Sequence, residues 1–309
     1  MCIRDRAGAR SVRPVRVGVL LLPTDPWPDT MARVRHLEAL GYDHLWTYDH
    51  LSWRRYRERP WFGAIPWLTG IAAATDRIRL GPLVSSPNFR HPVTLAKEAM
   101  TLDHVSGGRV TLGIGAGGTG YDASVFGEPV LSPRQRVDRY IEFVEVVDAL
   151  LRQPFTTHRT DRYVIEEAPM LPGCVQQPRL PLALAAGGPR TLALAARFAD
   201  AWITYGDTST EVRPASATET KVQEQSERLA EECGAIGRDP EELDRIYLIG
   251  NTDERPLASL DAFEDFAHRY RELGFTDLVF HHPRPGDPVW SEPEAIVHEI
   301  ATQLLPGLR

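Results

Sequence analysis

The stretch LGPLVSSPNFRHPVTLAKEAMTLDHVSGGRVTLGIGAGG, residues 80–118, contains most of one strand, a complete helix and a second strand. The apolar run Ile78–Ser85 predicts a buried strand, and Pro92–Val105 predicts a helix that a glycine pair ends. The segment Arg109–Gly117 predicts the next strand. A strand, a helix and a strand in this order favour a right-handed crossover between parallel neighbours, so the stretch indicates an α/β fold.

The same alternation continues on both sides of this unit. Six further apolar runs predict strands, and they lie at 15–22, 42–49, 180–188, 201–207, 244–251 and 277–283. A segment of helical periodicity follows each run, and the first such helix is expected to begin with Asp29 as its cap and to stop at Gly41. Eight strand–helix units close a (β/α)8 TIM barrel, which we favour over an open, doubly wound sheet. Residues 152–177 break the alternation, and we interpret them as an insertion between the fourth and fifth units.

Length and composition indicate one globular domain. The chain has 309 residues, of which 42% are hydrophobic and 25% are charged. Barrels of about 250 residues are routinely single domains, so we expect residues 15–309 to form one domain. Residues 1–14 precede the first strand, are rich in arginine and lack the apolar core of a secretory signal, so we expect a disordered or non-native extension there.

The formal net charge of -7 is spread along the chain, which argues against nucleic acid or an anionic membrane as a partner. No apolar run approaches the roughly 20 residues of a membrane span. The three cysteines, Cys2, Cys174 and Cys233, match no zinc or redox spacing, and their small number is typical of a reducing compartment. We therefore expect a cytoplasmic protein whose partner is a small-molecule organic substrate.

A barrel carries its active site at the carboxyl ends of its strands, and this rule selects candidate residues directly. The segment Gly187-Gly188-Pro189-Arg190-Thr191 lies where the fifth strand turns into a helix. Glycines allow a phosphate to approach closely, the helix start favours an anion, and Arg190 or Thr191 would add a donor. The alternative is a tight turn in which the glycines serve geometry alone.

The glycine-rich segment Gly113–Gly120 superficially resembles a dinucleotide-binding fingerprint. That fingerprint belongs at the first strand-to-helix turn of an open sheet, whereas a long loop follows here, so we reject a nicotinamide site. The glycines are more consistent with a planar ring system that lies against the end of the fourth strand. A flexible loop is the alternative interpretation.

Asp49 and His50 end the second strand. Histidine is the usual side chain for proton transfer near neutral pH, and Asp49 could orient it or accept a hydrogen bond from a cofactor. The alternative is a polar strand end with a solvated imidazole. Trp53 and Trp61 follow in the next loop, where they could wall an apolar pocket or pack the loop itself.

Other chemistries have little support in the sequence. His91, His281 and His282 lack the spacing of a metal site, so no metal is expected. Neither a Gly-x-Ser-x-Gly elbow nor a Cys/His nucleophile pair is found. A bound redox cofactor is therefore a reasonable source of reactivity.

Two stretches resemble the signatures of a known family. Residues 80–118 closely resemble the central signature of the bacterial luciferase-like monooxygenase superfamily, and AAGGPRTLALAARFADAW, Ala185–Trp202, resembles its second signature. The likeness runs from about Val15 to Asp207 and more loosely to the C-terminus. It implies a luciferase-like (β/α)8 barrel, often a homodimer, that binds FMN or the deazaflavin coenzyme F420.

The resemblance also implies roles for individual residues. Family members commonly carry a non-prolyl cis peptide in a bulge of the third strand, behind the central ring, and by motif position this bond is Leu83–Val84. The end of the fourth strand should line the ring or the ribityl chain, and the second signature should hold the phosphate. The expected cofactor residues are Leu83, Val84, Ser85, Ala116, Gly117, Gly118, Thr119, Gly187, Gly188, Pro189, Arg190 and Thr191.

His50 matches a histidine that deazaflavin-using relatives employ near the reactive carbon, and Asp49 is the second expected catalytic residue. The expected substrate pocket consists of Trp53, Trp61, Tyr121 and Tyr205. Some deazaflavin dehydrogenases place a glutamate directly after the strand-four glycines, where this chain has Gly118. This departure disfavours a sugar-phosphate dehydrogenase, as does the lack of a matching basic pair, although Tyr121 and Asp122 could supply replacement polar groups.

Three functions are consistent with these residues. The favoured function is hydride transfer between F420 and a small organic substrate, with His50 as the proton partner, because Asp49-His50 and the overall motif favour the deazaflavin subgroup. The second is a two-component FMN-dependent monooxygenase that uses reduced FMN and O2 and is supplied by a separate flavin reductase. The third is a non-catalytic flavin-binding protein.

Overall fold

The computed structural model describes residues 13–206, 212–250 and 252–309. Most of the predicted N-terminal extension, residues 1–12, lies outside these ranges, as do Asp207 and Asn251, which the sequence places at strand ends. Within the described ranges, no helix is both long and apolar enough to cross a membrane.

Short apolar runs form the strands. They are β1 (Arg16–Leu20), β2 (His44–Thr47), β3 (Arg79–Pro82), β4 (Leu112–Ile114), β5 (Phe155–Arg159), β6 (Val164–Pro169), β7 (Leu182–Ala185), β8 (Ala201–Thr204), β9 (Asp244–Leu248) and β10 (Asp277–His281). Eight of them pair in parallel in the order β3-β2-β1-β10-β9-β8-β7-β4. Because every pairing in this sheet is parallel, the eight carboxyl ends meet at one rim, which we call the mouth.

Parallel bridges from Leu80 and Ser85 join β3 to the β4 segment and close the sheet into the predicted barrel. The two segments approach so closely that glycine is needed at the seam. A Cβ on Gly81 would lie 1.9 Å, and one on Gly113 2.1 Å, from a backbone carbonyl oxygen across the seam. The glycines of the central sequence motif therefore allow the barrel to close.

Helices cover the outside of the barrel. They are α1 (Trp27–Leu40), α2 (Ala64–Ala72), α3 (Pro92–Ser106), α4 (Pro133–Arg152), α5 (Pro189–Phe198), α6 (Ala215–Ala235), α7 (Leu260–Glu272), α8 (Ala295–Glu299) and α9 (Leu305–Leu308). Their apolar faces and the outward-facing strand residues form the larger core. A smaller core fills the barrel interior and includes Leu20, Trp46, Ile203 and Val279. Because both strand faces are buried, the strands are apolar runs without polar alternation.

The first helix begins earlier than the sequence predicts. Pro26 occupies the N-cap without a side-chain hydrogen bond, and Asp29 lies inside the first turn, so its prediction as the cap is wrong. Pro28 fits this first turn because its missing amide hydrogen has no intrahelical partner there, which lets the helix start before the aspartate. Gly41 ends α1 in the left-handed conformation at φ 86°, as predicted.

Two other segments differ from simple strand–helix alternation. The helix predicted near 293–305 consists of α8 and α9 joined by a π-helical turn, Ile300–Leu304. Pro306 lies in the first turn of α9 and lacks the amide hydrogen that an uninterrupted α-helix would use. Within residues 152–177, β5 and β6 pair as an antiparallel hairpin that is separate from the barrel sheet.

Candidate active site

Successive residues at the end of β2 point to opposite sides of the barrel wall. Trp46 and Tyr48 belong to the interior core. Since strand side chains alternate, His50 continues on this inner side and Asp49 lies on the outer side. Adjacent positions in the sequence therefore have different surroundings.

Asp49 forms an ion pair behind the wall. It is 1% exposed, and its carboxylate accepts hydrogen bonds from Ser85 Oγ at 2.5 Å and from Arg90 Nη2 at 2.7 Å. Ser85, which is expected beside the cofactor, is itself fully buried in this contact. The structure does not bring the Asp49 carboxylate to His50, and Arg90 was not anticipated from the sequence.

Asp122 is the side chain that contacts His50. Its Oδ2 lies 2.5 Å from His50 Nδ1, and its Oδ1 accepts a hydrogen bond from the Leu51 amide at 3.0 Å. An ionised carboxylate can only accept, so this contact assigns the imidazole proton to Nδ1 and leaves Nε2 available to a ligand. Asp122 is 3% exposed, so its carboxylate is shielded from water, whereas the His50 side chain is 32% exposed. The sequence suggests Asp122 only as a replacement polar group, because no local spacing links positions 50 and 122.

An aromatic cluster lies beside His50 at the mouth. The cluster consists of Tyr48, Trp53, Tyr56, Trp61 and His281. The ring of Trp53 lies 4.9 Å from that of Tyr48 and stacks on His281 at 6.4 Å, and Trp61 lies 6.4 Å from His50. The two predicted tryptophans are therefore neighbours at the mouth. Tyr48 was missed, although its place in the alternation after Trp46 is a signal that could have found it.

Polar groups hold the Tyr48 end of this cluster. Tyr48 Oη lies 2.9 Å from His281 Nε2, and Arg284 Nη1 lies 3.4 Å from His281 Nδ1. Arg284 is paired with Asp287 at 2.7 Å. Burial, and then the charge of Arg284, hold the pKa of His281 well below its ordinary value, so this imidazole is neutral.

The third-strand bulge adopts the predicted geometry. The Leu83–Val84 peptide bond is cis. The amide of Leu83 donates to β2 and that of Ser85 donates to β4, so the chain changes hydrogen-bonding partner across this bond. Half-buried Val84 packs against Gly115, where a Cβ would lie only 2.6 Å from Val84 Cγ2. The backbone of β4 can therefore lie flat against the bulge.

The end of β4 exposes bare backbone at the mouth. Ala116 and Gly117 are half-buried, and Gly118 and Thr119 are exposed. Gly117 has φ 79°, and Asn88 Nδ2 donates to the Gly118 carbonyl at 3.1 Å. A Cβ on Gly118 would meet no atom within 4 Å, so open space borders this backbone.

The turn between β7 and α5 is exposed and ordered by a hydroxyl. The amides of Gly187 and Gly188 donate to Thr191 Oγ1 at 3.3 and 3.2 Å. A Cβ on Gly188 would also meet nothing within 4 Å. Arg190 is paired with Asp138 at 2.6 Å on the surface, and the proline that begins α5 has no amide hydrogen to offer. The expected phosphate donors are therefore backbone amides and the hydroxyl.

The remaining predicted pocket residues lie on mouth loops. Tyr121 is 44% exposed, and the guanidinium of Arg57 lies 4.3 Å from its ring centroid. This contact joins the loops that follow β2 and β4. Tyr205 directly follows β8 and is 39% exposed.

The mouth has two chemically different sides. The ends of β4 and β7 present glycine backbone bordered by open space, next to the Leu83–Val84 bulge that follows β3, and a helix starts after β7. These features suit a planar cofactor with a phosphate. The ends of β2 and β10 present the aromatic cluster and its polar groups. No set of three His, Cys, Asp or Glu side chains within the described part of the chain is placed to hold a metal ion.

Comparisons with known sequences find F420-dependent dehydrogenases among the relatives of this chain. The chain is 29% identical over 324 residues to an F420-dependent glucose-6-phosphate dehydrogenase of Beutenbergia cavernae, and the alignment covers 91% of this chain and 93% of the relative. It is 30% identical over 257 residues to an F420-dependent hydroxymycolic acid dehydrogenase of Mycobacterium tuberculosis, with 79% of this chain and 66% of the relative covered.

The fold is also found among solved structures. An F420-dependent secondary alcohol dehydrogenase in complex with an F420-acetone adduct superposes with a TM-score of 0.76 at 17% identity, over 96% of this chain and 99% of that one. The sequence profile of the family described as luciferase-like monooxygenase matches residues 6–282. The chain therefore belongs to the luciferase-like monooxygenase family.

Proposed function

We propose that the protein is an oxidoreductase that transfers hydride between the deazaflavin coenzyme F420 and a small organic substrate. The observation that carries this proposal is the His50–Asp122 contact at the mouth, 2.5 Å long, beside a backbone surface that suits a planar cofactor. The two sequence relatives described above are F420-dependent dehydrogenases, which supports F420 over FMN.

In this proposal, the glycine side of the mouth holds the cofactor. The Leu83–Val84 bulge and the exposed backbone of Gly118 would hold its ring. The phosphate would bind at the start of α5. There the hydrogen bond from the Gly188 amide to the Thr191 hydroxyl would be replaced by hydrogen bonds from both groups to the phosphate. Arg190 stays with Asp138 at the edge of this site.

Proton transfer is assigned to His50. Bound F420 supplies or accepts a hydride. Nε2 of His50 takes the proton of a substrate hydroxyl during oxidation and returns it during reduction. Asp122 stabilises the positive charge that the imidazole gains in the first of these directions.

The substrate lies on the aromatic side, between Trp53, Trp61, Tyr121 and Tyr205. The sugar phosphate of the first relative is not carried over to this chain, since Gly118 stands where some deazaflavin dehydrogenases have a glutamate. In this proposal residues 15–309 act as one domain and the protein is a homodimer.

Parallel titrations with F420 and FMN test the proposal. Binding is followed by quenching of intrinsic tryptophan fluorescence, to which Trp53 and Trp61 contribute at the mouth. We expect tight binding of F420 and weak binding of FMN. The reverse result would contradict the proposal and point to the FMN-dependent monooxygenase with its separate reductase, and tight binding without reduction by any donor would indicate a non-catalytic flavin-binding protein.

A matched pair of aspartate variants locates the phosphate. Gly188→Asp places a negative charge at the start of α5, where a side chain has open space, and should weaken F420 binding at least about tenfold by repulsion. Gly234→Asp adds the same charge on α6, also in open space, and should leave affinity unchanged. Equal effects of the two variants on F420 affinity would show that the phosphate does not bind at this turn.

A further inference from the structure

The hydrogen bonds around His281 determine that the Tyr48 hydroxyl accepts a hydrogen bond from this histidine. An arginine can only donate, so His281 Nδ1, 3.4 Å from Arg284 Nη1, is the ring nitrogen without a proton. The neutral imidazole then carries its proton on Nε2 and donates it to Tyr48 Oη across 2.9 Å. Asp287 fixes the guanidinium, because its Oδ2 accepts from Arg284 Nη2 at 2.7 Å.

Tyr48 therefore accepts a hydrogen bond and keeps its own hydroxyl hydrogen for another partner. The described residues offer that hydrogen no acceptor, since His281 is the single polar partner of the hydroxyl among them. Burial raises the pKa of Tyr48, so the hydroxyl remains protonated and acts as a donor. A half-buried donor of this kind is stabilised when a ligand supplies an oxygen.

The hydroxyl lies across the mouth from the cofactor surface. Tyr48 follows β2, the neighbour of β3, but its hydroxyl contacts His281 at the end of β10, which lies three strands from both β3 and β7 around the barrel. The cofactor surface is formed by β3, β4 and β7. A ligand between the two sides would have the cofactor on one face and Tyr48 on the other, with His50 nearby, since the rings of Tyr48 and His50 are 6.0 Å apart.

We propose that Tyr48 binds the carbonyl oxygen of a substrate with an apolar body, and that His281, Arg284 and Asp287 hold it in its donating orientation. The aromatic cluster supplies the apolar wall, and Trp290 stacks on His281 at 4.5 Å to keep the ring in place. The inference takes one element from the proposed function, which is F420 as the hydride donor. It names a substrate class: ketones and aldehydes, or the corresponding alcohols.

The chemistry balances with F420 as the redox partner. During reduction the carbonyl carbon gains a hydride from reduced F420, which leaves oxidised F420, and the π electrons of the C=O bond move to oxygen. Tyr48 stabilises the negative charge that develops there. The oxygen takes a proton from protonated His50 at Nε2, and the ring proton that the cofactor loses on oxidation restores His50. The product is an alcohol.

Binding of two isosteric probes to wild type and Tyr48→Phe tests this inference without turnover. Acetophenone has a carbonyl oxygen, whereas α-methylstyrene has a methylene group in its place. With oxidised F420 present, we expect Tyr48→Phe to weaken acetophenone binding about 3- to 10-fold in calorimetric titrations and to leave α-methylstyrene binding unchanged. The 13C resonance of the bound carbonyl should move to higher field when the donor is lost.

Controls separate this inference from the proposed function. The titrations are repeated without F420, so they remain informative if the cofactor is FMN. Tyr270→Phe removes a phenolic hydroxyl in the outer core, on α7, and should not affect acetophenone. The inference is overturned if wild type does not bind acetophenone, if Tyr48→Phe weakens both probes equally or neither, if Tyr48→Phe weakens F420 binding instead, or if 15N NMR places the His281 proton on Nδ1.

Discussion

At the scale of the residue, distance along the sequence does not predict which aspartate contacts His50. Asp49 is covalently adjacent, yet alternation along β2 turns it away to Arg90. Asp122 is distant in sequence, yet the turn after β4 brings it to Nδ1. The contact to His50 is thus set by the direction of side chains and not by neighbouring positions in the sequence.

The variant Asp122→Asn should invert the tautomer of His50. Oδ1 of residue 122 accepts from the Leu51 amide, so an asparagine would keep its oxygen there and turn its NH2 group to His50. Nδ1 would then have to accept, and the proton would move to Nε2. We expect 15N NMR to report this change, and hydride transfer to fall about 10²- to 10⁴-fold with F420 affinity retained.

The reference variants for this experiment are His50→Ala, which removes the proposed proton partner, and Asp265→Asn, which changes an exposed carboxylate on α7. His50→Ala should cut turnover at least as strongly as Asp122→Asn, and Asp265→Asn should change neither observable. An unchanged Nδ1 proton in Asp122→Asn would show that the contact does not set the tautomer.

At the scale of the element, the β3–β4 seam depends on the absence of side chains. Gly81 and Gly113 let backbone carbonyl oxygens approach to distances that a Cβ would block. The glycines that resemble a nucleotide fingerprint in the sequence therefore have two different uses. Those inside the strands close the barrel, and those beyond its end, such as Gly118, border open space.

The variants Gly113→Ala and Gly118→Ala should separate these uses. The new Cβ of Gly113→Ala would lie 2.1 Å from the Pro82 carbonyl oxygen, so we expect a loss of about 1–3 kcal/mol or more in the free energy of unfolding. Gly118→Ala meets nothing within 4 Å and should stay within about 0.5 kcal/mol of wild type. Urea unfolding measures both, and equal midpoints would contradict the role of the seam.

At the scale of the whole molecule, buried histidines link stability to pH. His44 lies inside the start of β2, where burial, and then Arg16 and Arg79, lower its pKa from 6.5 to about 3. Burial also lowers the pKa of His282 from 6.5 to about 4. Between these values and 6.5 the unfolded chain binds protons that the folded chain does not. The stability that neutral His44 and His282 contribute is therefore fully present above pH 6.5. It is lost as the pH falls toward 4 for His282 and toward 3 for His44.

We expect the free energy of unfolding to fall by roughly 1.4 kcal/mol per pH unit for each of these histidines below pH 6. The variant His44→Gln should reduce this slope by one such increment. Urea unfolding at pH 7.5, 6.0 and 5.0 measures the slope. His36→Gln changes an exposed histidine on α1 and serves as the control, and a slope that His44→Gln leaves intact would refute the assignment to His44.

The sequence by itself determined the repeating unit, the rim at which the candidate site lies and the positions of its glycine turns. These features arise from contiguous residues, because apolar runs, helical periodicity and glycine turns act over a few positions. They correctly predicted the barrel, whereas the cis bond at Leu83–Val84, which the structure confirms, was implied by the family resemblance. They were wrong for the Asp29 cap, since a proline in the first turn outweighed the capping signal.

Tertiary structure alone decided which side chains meet at the mouth. The partners His50 and Asp122, and likewise Tyr48 and His281, come from segments that are remote in the chain. Whether they touch depends on the closure of the barrel, on the alternation that aims each side chain, and on the turn after β4. Local patterns carry no information about such contacts, because hydrogen-bond distance is set by the three-dimensional arrangement of strand ends.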